Sequence, residues 1–383
     1  MKALLIVSVI LVALVLSIPL IFVTPVPDAP AAPVPTPSAT ATPAPATPAP
    51  KTPGPSPNPP TPVQPSAVPT VIPSATPSPT QPSPAPTIAP EPEAPRAGDS
   101  AVIRLGRGGE TVNISLKDYL TGVVAAEMPA SFNIEALKAQ AVAARTYALH
   151  KTSKKAHAHQ GFDVCDNFAC CSAYLGPSEL KAKWGADYDR YIEKIRSAVE
   201  ATEGLYLTWE GEPILAVFHS SSPGKTEGSE NVWRDPLPYL VSVESPETPE
   251  RVSNLLSTFS ISAEDFKNTV LGKYPSASFA DDPNLWISGV LYSESGRVKS
   301  LKVGGVDIPG TDFRFLLGLR STAFSFKYDG AGFVFSVAGY GHGVGMSQYG
   351  ANIMAADGAT FDEILANYYP GTELASFSGS FPS

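Results

Sequence analysis

Ser115-Leu116-Lys117-Asp118-Tyr119-Leu120-Thr121-Gly122-Val123-Val124-Ala125-Ala126-Glu127-Met128-Pro129 is the stretch on which the fold turns. Leu116, Leu120, Val123 and Val124 recur at helical spacing. Ser115 with Asp118 three residues on resembles a capping box, and Pro129 stops the run. The spacing predicts a helix over 116–127. Its last residue is out of keeping with the rest. Glu127 follows Val123-Val124-Ala125-Ala126 and sits in a last helical turn, where the macrodipole disfavours an anion. Apolar surroundings disfavour the anion too, so both effects raise its pKa. A carboxylic acid held protonated near neutral pH is what a general acid requires. An exposed helix-end glutamate with ordinary chemistry is the competing reading.

The neighbouring segments extend the pattern. Val102-Ile103-Arg104-Leu105 reads as a short strand before a turn at Gly108-Gly109. Asn133 can cap a second helix from Ile134 to about His150, with Ile134, Leu137, Ala141, Ala144 and Ala148 as its apolar stripe. Lys138 and Arg145 lie seven apart, on one other face. Mixed helices and short strands predict an α+β fold, with the helical pair near Glu127 forming one wall of a groove.

Upstream the composition changes sharply. Of the 41 prolines, 27 lie between Pro25 and Pro95. Such a segment cannot hold a packed core, and without a Gly-X-Y period it is not collagen. Residues 25–100 are therefore expected to be a disordered Pro/Ala/Thr/Ser-rich stalk, and residues 101–383 the globular domain. Residues 3–23 are apolar except Ser8, Ser17 and Pro19, which is close to the roughly 20 residues that a membrane-spanning helix needs. Residues 1–24 are expected to be an uncleaved single-pass signal anchor, with the following domain outside the cytoplasm. Ala29-Pro30-Ala31 is a poor cleavage site. The net charge of −9 falls almost wholly after Ser100 and argues against nucleic acid as a partner.

Three further segments carry chemistry. Phe218-His219-Ser220-Ser221-Ser222-Pro223-Gly224-Lys225-Thr226-Glu227 follows the strand-like Ile214–Val217, and its hydroxyls suit sugar binding. His219 with Ser221 would suit a serine peptidase, but no Gly-x-Ser-x-Gly elbow is present. Gly339-Tyr340-Gly341-His342-Gly343-Val344-Gly345-Met346-Ser347-Gln348-Tyr349 lets backbone approach a ligand closely, and a helix is expected from about Met346 to Ala356. Before it, Phe324–Val337 reads as a hairpin turning at Asp329-Gly330. Cys165, Cys170 and Cys171 follow His157 and His159. The spacing matches no standard zinc finger, but thiolates favour zinc and the loop is short, so a structural zinc held by Cys165 and Cys171 with His159 or Cys170 is expected. A disulfide from Cys165 or free thiols are the alternatives.

Tyr119–Pro129, Glu135–Ala148, the Ser-rich loop with Thr226-Glu227, Val232-Trp233, Pro238-Tyr239-Leu240, Gly341–Ala351 and Tyr368-Tyr369-Pro370-Gly371-Thr372 together resemble, in order, the stage II sporulation protein D and amidase-enhancer family. The resemblance covers residues 101–375. It implies a membrane-anchored lytic transglycosylase that cleaves peptidoglycan during engulfment of the forespore, with Glu127 as the catalytic acid and no cofactor required for catalysis. It implies peptidoglycan glycan strands, a cell-wall amidase and other engulfment proteins as partners. Lys138, Arg145, Ser221, Ser222, Thr226, His342, Gln348 and Tyr349 become groove residues. Glu227 becomes the second carboxylate that a hydrolase would need. Two positions depart from the family. Pro223 replaces a usual Gly, and Cys170 stands where a His commonly precedes the last Cys, which changes any metal ligand set. The rival function is a non-catalytic glycan-binding enhancer of an amidase.

Overall fold

The computed structural model describes residues 97–153, 161–167, 169–233 and 235–376. The expected anchor, nearly all of the stalk, His157 and His159 lie outside the described residues. No helix among those described is long and apolar enough to cross a membrane.

The chain builds an α+β first lobe, then a second lobe, then returns to complete the first. Ala97–Ser100 forms one 3-10 turn ahead of the hairpin β1 (Val102–Arg107) and β2 (Glu110–Ser115). Ser115 Oγ accepts from the Asp118 amide at 3.0 Å and so caps α1 (Leu116–Glu127), which has the bounds expected from sequence. After the Pro129 turn comes α2 (Ile134–Ser153), where Asn133 Oδ1 accepts from the Glu135 amide. Short β3 (Val164–Cys165) pairs parallel with β1. Next come α3 (Pro177–Trp184), α4 (Tyr188–Ala201), β4 (Leu205–Trp209), β5 (Glu212–Pro213) and β6 (Phe218–His219). Ile214–Val217, read as strand-like, makes no ladder of its own among the described residues; pairing begins only at Phe218.

The second lobe runs from β7 (Leu256–Ser262) through α5 (Ala263–Lys273), β8 (Ile287–Tyr292), β9 (Val298–Val303), β10 (Val306–Pro309), α6 (Gly310–Leu317) and β11 (Phe324–Tyr328) to β12 (Gly332–Ala338). The expected hairpin is β11–β12, with β7 added antiparallel on its far side; β8, β9 and β10 form a separate antiparallel sheet. Phe266, Trp286, Phe313, Phe333 and Phe335 fill the core of this lobe. The chain then re-enters the first lobe as β13 (Met346–Ser347), α7 (Gln348–Ala356), α8 (Phe361–Tyr368) and β14 (Glu373–Ser376). β13 pairs parallel with β6, and β14 antiparallel with β4. Val344, Met346, Ile364, Leu365, Tyr368 and Tyr369 join Leu120, Val123, Leu137 and Val142 in one core.

Helix α2 is buried on nearly every side rather than along one stripe, because α1, α4, α7, α8 and β4 surround it. Alanine makes this close approach feasible. Arg145, expected in the groove, is 0% exposed and ion-paired with Asp99. Its Nε donates to Asp99 Oδ1 at 2.7 Å and its Nη1 to the Leu205 carbonyl at 3.0 Å. It is a structural cation, and Asp99, placed in the stalk by composition, is already part of the core. Breaking such a buried pair costs about 3–5 kcal/mol.

Candidate functional site

Glu127 opens into a cavity of about 460 Å³. Ala126–Phe132 forms its floor and near wall, Lys183, Trp184 and Tyr191 face it from α3 and α4, and Ser220, Gln348 and Tyr349 close the other side. Phe132 packs edge-on against Tyr349 at 5.0 Å, and Trp184 against Tyr191 at 5.6 Å. A pocket that sets a few polar groups among aromatic rings matches the amphipathic faces of a sugar.

The carboxyl of Glu127 is held from two directions. Oε1 accepts from the Ala173 amide at 2.9 Å, and Oε2 lies 3.4 Å from Gln348 Nε2. Burial raises its pKa above the ordinary 4.5; the two hydrogen bonds pull the other way and are the smaller effects. Gln348 Nε2 also lies 3.5 Å from Gln140 Oε1, so one amide lies between α2 and the Glu127 carboxyl. Gln348 starts α7 because Ser347 caps it, accepting from the Gly350 amide at 3.3 Å. The helix thus begins two residues later than expected, since Met346 and Ser347 are drawn into the parallel ladder with β6.

The glycine run makes that ladder feasible. At Gly345, φ is +68° and a Cβ would lie 2.1 Å from the Val217 carbonyl oxygen; at Gly343 a Cβ would meet the Arg297 guanidinium.

Of the other expected groove residues, Gln348 and Tyr349 line the cavity and the rest do not. Lys138 Nζ is bound by Glu135 at 2.6 Å and lies over the Phe361 ring, on the α8 side. Ser221 exchanges backbone hydrogen bonds with Tyr340. Thr226 is buried, and its Oγ1 accepts from the Val243 amide. His342 Nδ1 accepts from the Val344 amide, with its ring between Trp233 and His219. Burial drives the His342 pKa down to about 4.

Glu227, expected as a second carboxylate, does not line the Glu127 cavity. It is 3% exposed, and its oxygens take hydrogen bonds from the Gly228 amide, Asn231 Nδ2, Ser293 Oγ and Ser295 Oγ. Ser222, also fully buried, lies 2.6 Å from His219 Nε2, accepts from Arg297 Nη2 at 3.0 Å, and donates its amide to Glu247. His219 therefore pairs with Ser222 rather than Ser221, in the protein interior, where no peptide can reach. The hydroxyl-rich loop ties the two lobes together. A Ser-rich sequence reads alike whether its hydroxyls face a sugar or another part of the chain.

Arg297 and Asp99 escaped sequence reading because their partners lie far away along the chain, as do Ser222 and Ser347, two of the three partners of Glu247. Lys183, Trp184 and Tyr191 escaped because they sit on two helices with no shared spacing. The three thiols of Cys165, Cys170 and Cys171 lie within 4.8 Å of one another, with no disulfide between them. His159 falls outside the described residues.

The Stage II sporulation protein family model (SpoIID) matches residues 106–209. The chain is 39% identical to Stage II sporulation protein D of Bacillus subtilis over 265 residues, covering 69% of this chain and 75% of that protein. It is 37% identical to the protein of the same name from Bacillus amyloliquefaciens, with the same coverage. It is also 32% identical to a Bacillus subtilis protein named Amidase enhancer, covering 67% of this chain and 40% of that protein. Glu127, the end of α1 and most of the cavity's α-helical wall fall within the matched family segment, and identity at this level spans most of both sporulation proteins. The chain belongs to the stage II sporulation protein D family.

Proposed function

We propose that the protein is a peptidoglycan lytic transglycosylase acting in sporulation, with Glu127 as its catalytic acid and base. The observation that carries this reading is a desolvated, hydrogen-bonded carboxyl group in an aromatic-flanked cavity, with no other carboxylate among the lining residues described. One carboxyl is sufficient for the reaction. Glu127 gives its proton to the oxygen joining N-acetylmuramic acid to N-acetylglucosamine, and the C1–O bond breaks. The 6-hydroxyl of the same muramyl ring attacks the oxocarbenium-like C1. Its proton returns to Glu127, leaving a 1,6-anhydro end and the starting protonation state. Hydrolysis would need a second carboxylate to activate water or act as nucleophile, and Glu227 is already saturated by four donors. Gln348 and the Ala173 amide orient the carboxyl.

The test is mass spectrometry of peptidoglycan digests. Anhydro ends are expected from the wild-type chain and none from Glu127→Gln, which keeps the shape but cannot donate an acidic proton. Cleavage by a folded Glu127→Gln chain would overturn the assignment. The relative named Amidase enhancer favours one second reading, in which the chain binds glycan and stimulates an amidase. That reading predicts amide cleavage rising on addition of the chain, with no anhydro ends.

Two further parts belong to the proposal. The domain is held outside the cytoplasm by residues 3–23. A structural zinc is held by Cys165, Cys170 and Cys171, whose clustered sulfurs suit a soft divalent cation. Burial pushes the Cys171 thiol up to about 12 and raises Cys165, so the cation must drive their deprotonation. Its part is to pin the loop leading to Ala173, since the chemistry at Glu127 needs no metal-bound water.

A further inference from the structure

Lys183 is the one cation among the residues described as lining the Glu127 cavity. It lies in the last turn of α3, and its Nζ donates to the Ala125 carbonyl at 3.0 Å. Ala125 is in the last turn of α1, where unpaired carbonyls carry partial negative charge. That contact uses one of three ammonium donors. The Trp184 ring lies 5.9 Å away. From α4, Lys194 Nζ reaches the Phe132 carbonyl at 2.5 Å, so a second cation supports the same wall. Both are found in a chain whose net charge is −9.

Burial lowers the pKa of Lys183, and no carboxylate is among the groups acting on it. Nor does Lys183 figure among the groups that shift Glu127. The Lys183 side chain is exposed at the cavity and has no carboxylate partner, so its remaining donors are open to an incoming anion, and an ammonium–carboxylate contact is a charge-assisted one. A neutral amino sugar makes no use of it. A muramyl residue does, because the lactyl ether on its ring ends in a carboxyl group. That group is free or amide-bonded to a peptide stem with carboxylates of its own.

We propose that Lys183 forms a carboxylate subsite, receiving a carboxylate carried by the muramyl residue bound beside Glu127. The proposal rests on the glycan reading above, but it concerns binding and stands apart from cleavage. The test is equilibrium binding to the full chain carrying Glu127→Gln, so that turnover does not enter. Three probes are compared: peptide-free glycan with free lactyl carboxylates, the same glycan with those groups converted to methylamides, and glycan bearing intact stems.

The free acid is expected to bind about tenfold more tightly than the methylamide. Adding Lys183→Met should erase that preference, and Lys183→Arg should retain it. Stem-bearing glycan binding as tightly as the free acid, with the same dependence on Lys183, shows that a stem carboxylate takes the same place; weak binding confines the subsite to the lactyl group. If Lys183→Met weakens all three probes equally, the lysine only caps α1 and the proposal fails. It fails also if acid and methylamide bind alike to the wild-type side chain, or if no glycan binds. Binding with the expected preference, alongside a wild-type chain that makes no anhydro ends, would sink the transglycosylase and leave the subsite standing.

Discussion

At the scale of single residues, Glu127 joins two properties that usually oppose each other: its carboxyl is largely withdrawn from water, and the proposed reaction has it exchange a proton. Its pKa is raised above 4.5 by burial. The folded chain therefore holds that proton more tightly than the unfolded chain. The contribution to stability is complete below pH 4.5 and is lost as pH rises through the raised folded value. Glu127→Gln removes the penalty of burying an anion, so its Tm should exceed that of the wild type at about pH 7 and converge on it at about pH 4. Equal Tm values at both pH values would mean that the carboxyl is well solvated. The sequence singled out this residue because an acid ending an apolar helix is locally incongruous. Arg145 shows the opposite case. Its polarity suggested a binding role, while the partner that buries it, Asp99, is 46 positions away.

At the scale of elements, α1 was legible to the residue because both of its stop signals are local. The start of α7 was not, since β6 competes for Met346 and Ser347. That competition depends on the backbone at Gly345, which the Val217 carbonyl approaches with no room for a side chain. Gly345→Ala should cost more than about 2 kcal/mol, through positive φ and direct backbone overlap. Denaturant titration checks this. The surviving folded protein should also cleave more slowly, because Gln348 follows two residues after β13 begins. A midpoint unchanged from wild type would refute the close approach.

At the scale of the whole molecule, the cavity is walled by α1, α3, α4 and α7, and α2, expected to form a wall with α1, lines none of it; apart from Ser220, the serine and histidine motifs serve the joint between lobes. Residues 256–323 gave no motif, and their lobe is recognisable only by its aromatic core. Glu227 is the measure of that joint, since Ser293 and Ser295 reach it from the second lobe. Glu227→Gln should cost about 2 kcal/mol or more, because charge-assisted hydrogen bonds are exchanged for weaker ones and a donor meets donors. The catalytic constant of the folded fraction should stay near wild type. A selective loss of that constant without loss of stability would return Glu227 to the chemistry.

The order of the chain also has a consequence in time. The first lobe is opened after β6 by the second and closed only by the segment from Val344 onward, which supplies Met346, Tyr368 and Tyr369 to its core and Gln348 to Glu127. A polypeptide still growing on the ribosome has α1, α2 and the acid itself, but neither the far wall of the cavity nor the core that steadies it. Its decisive contacts are between the earliest and latest parts of the sequence, and such contacts form last. A chain cut short before Val344 is left with an unfinished cavity, so a cell translating this message gets no complete Glu127 site from incomplete copies.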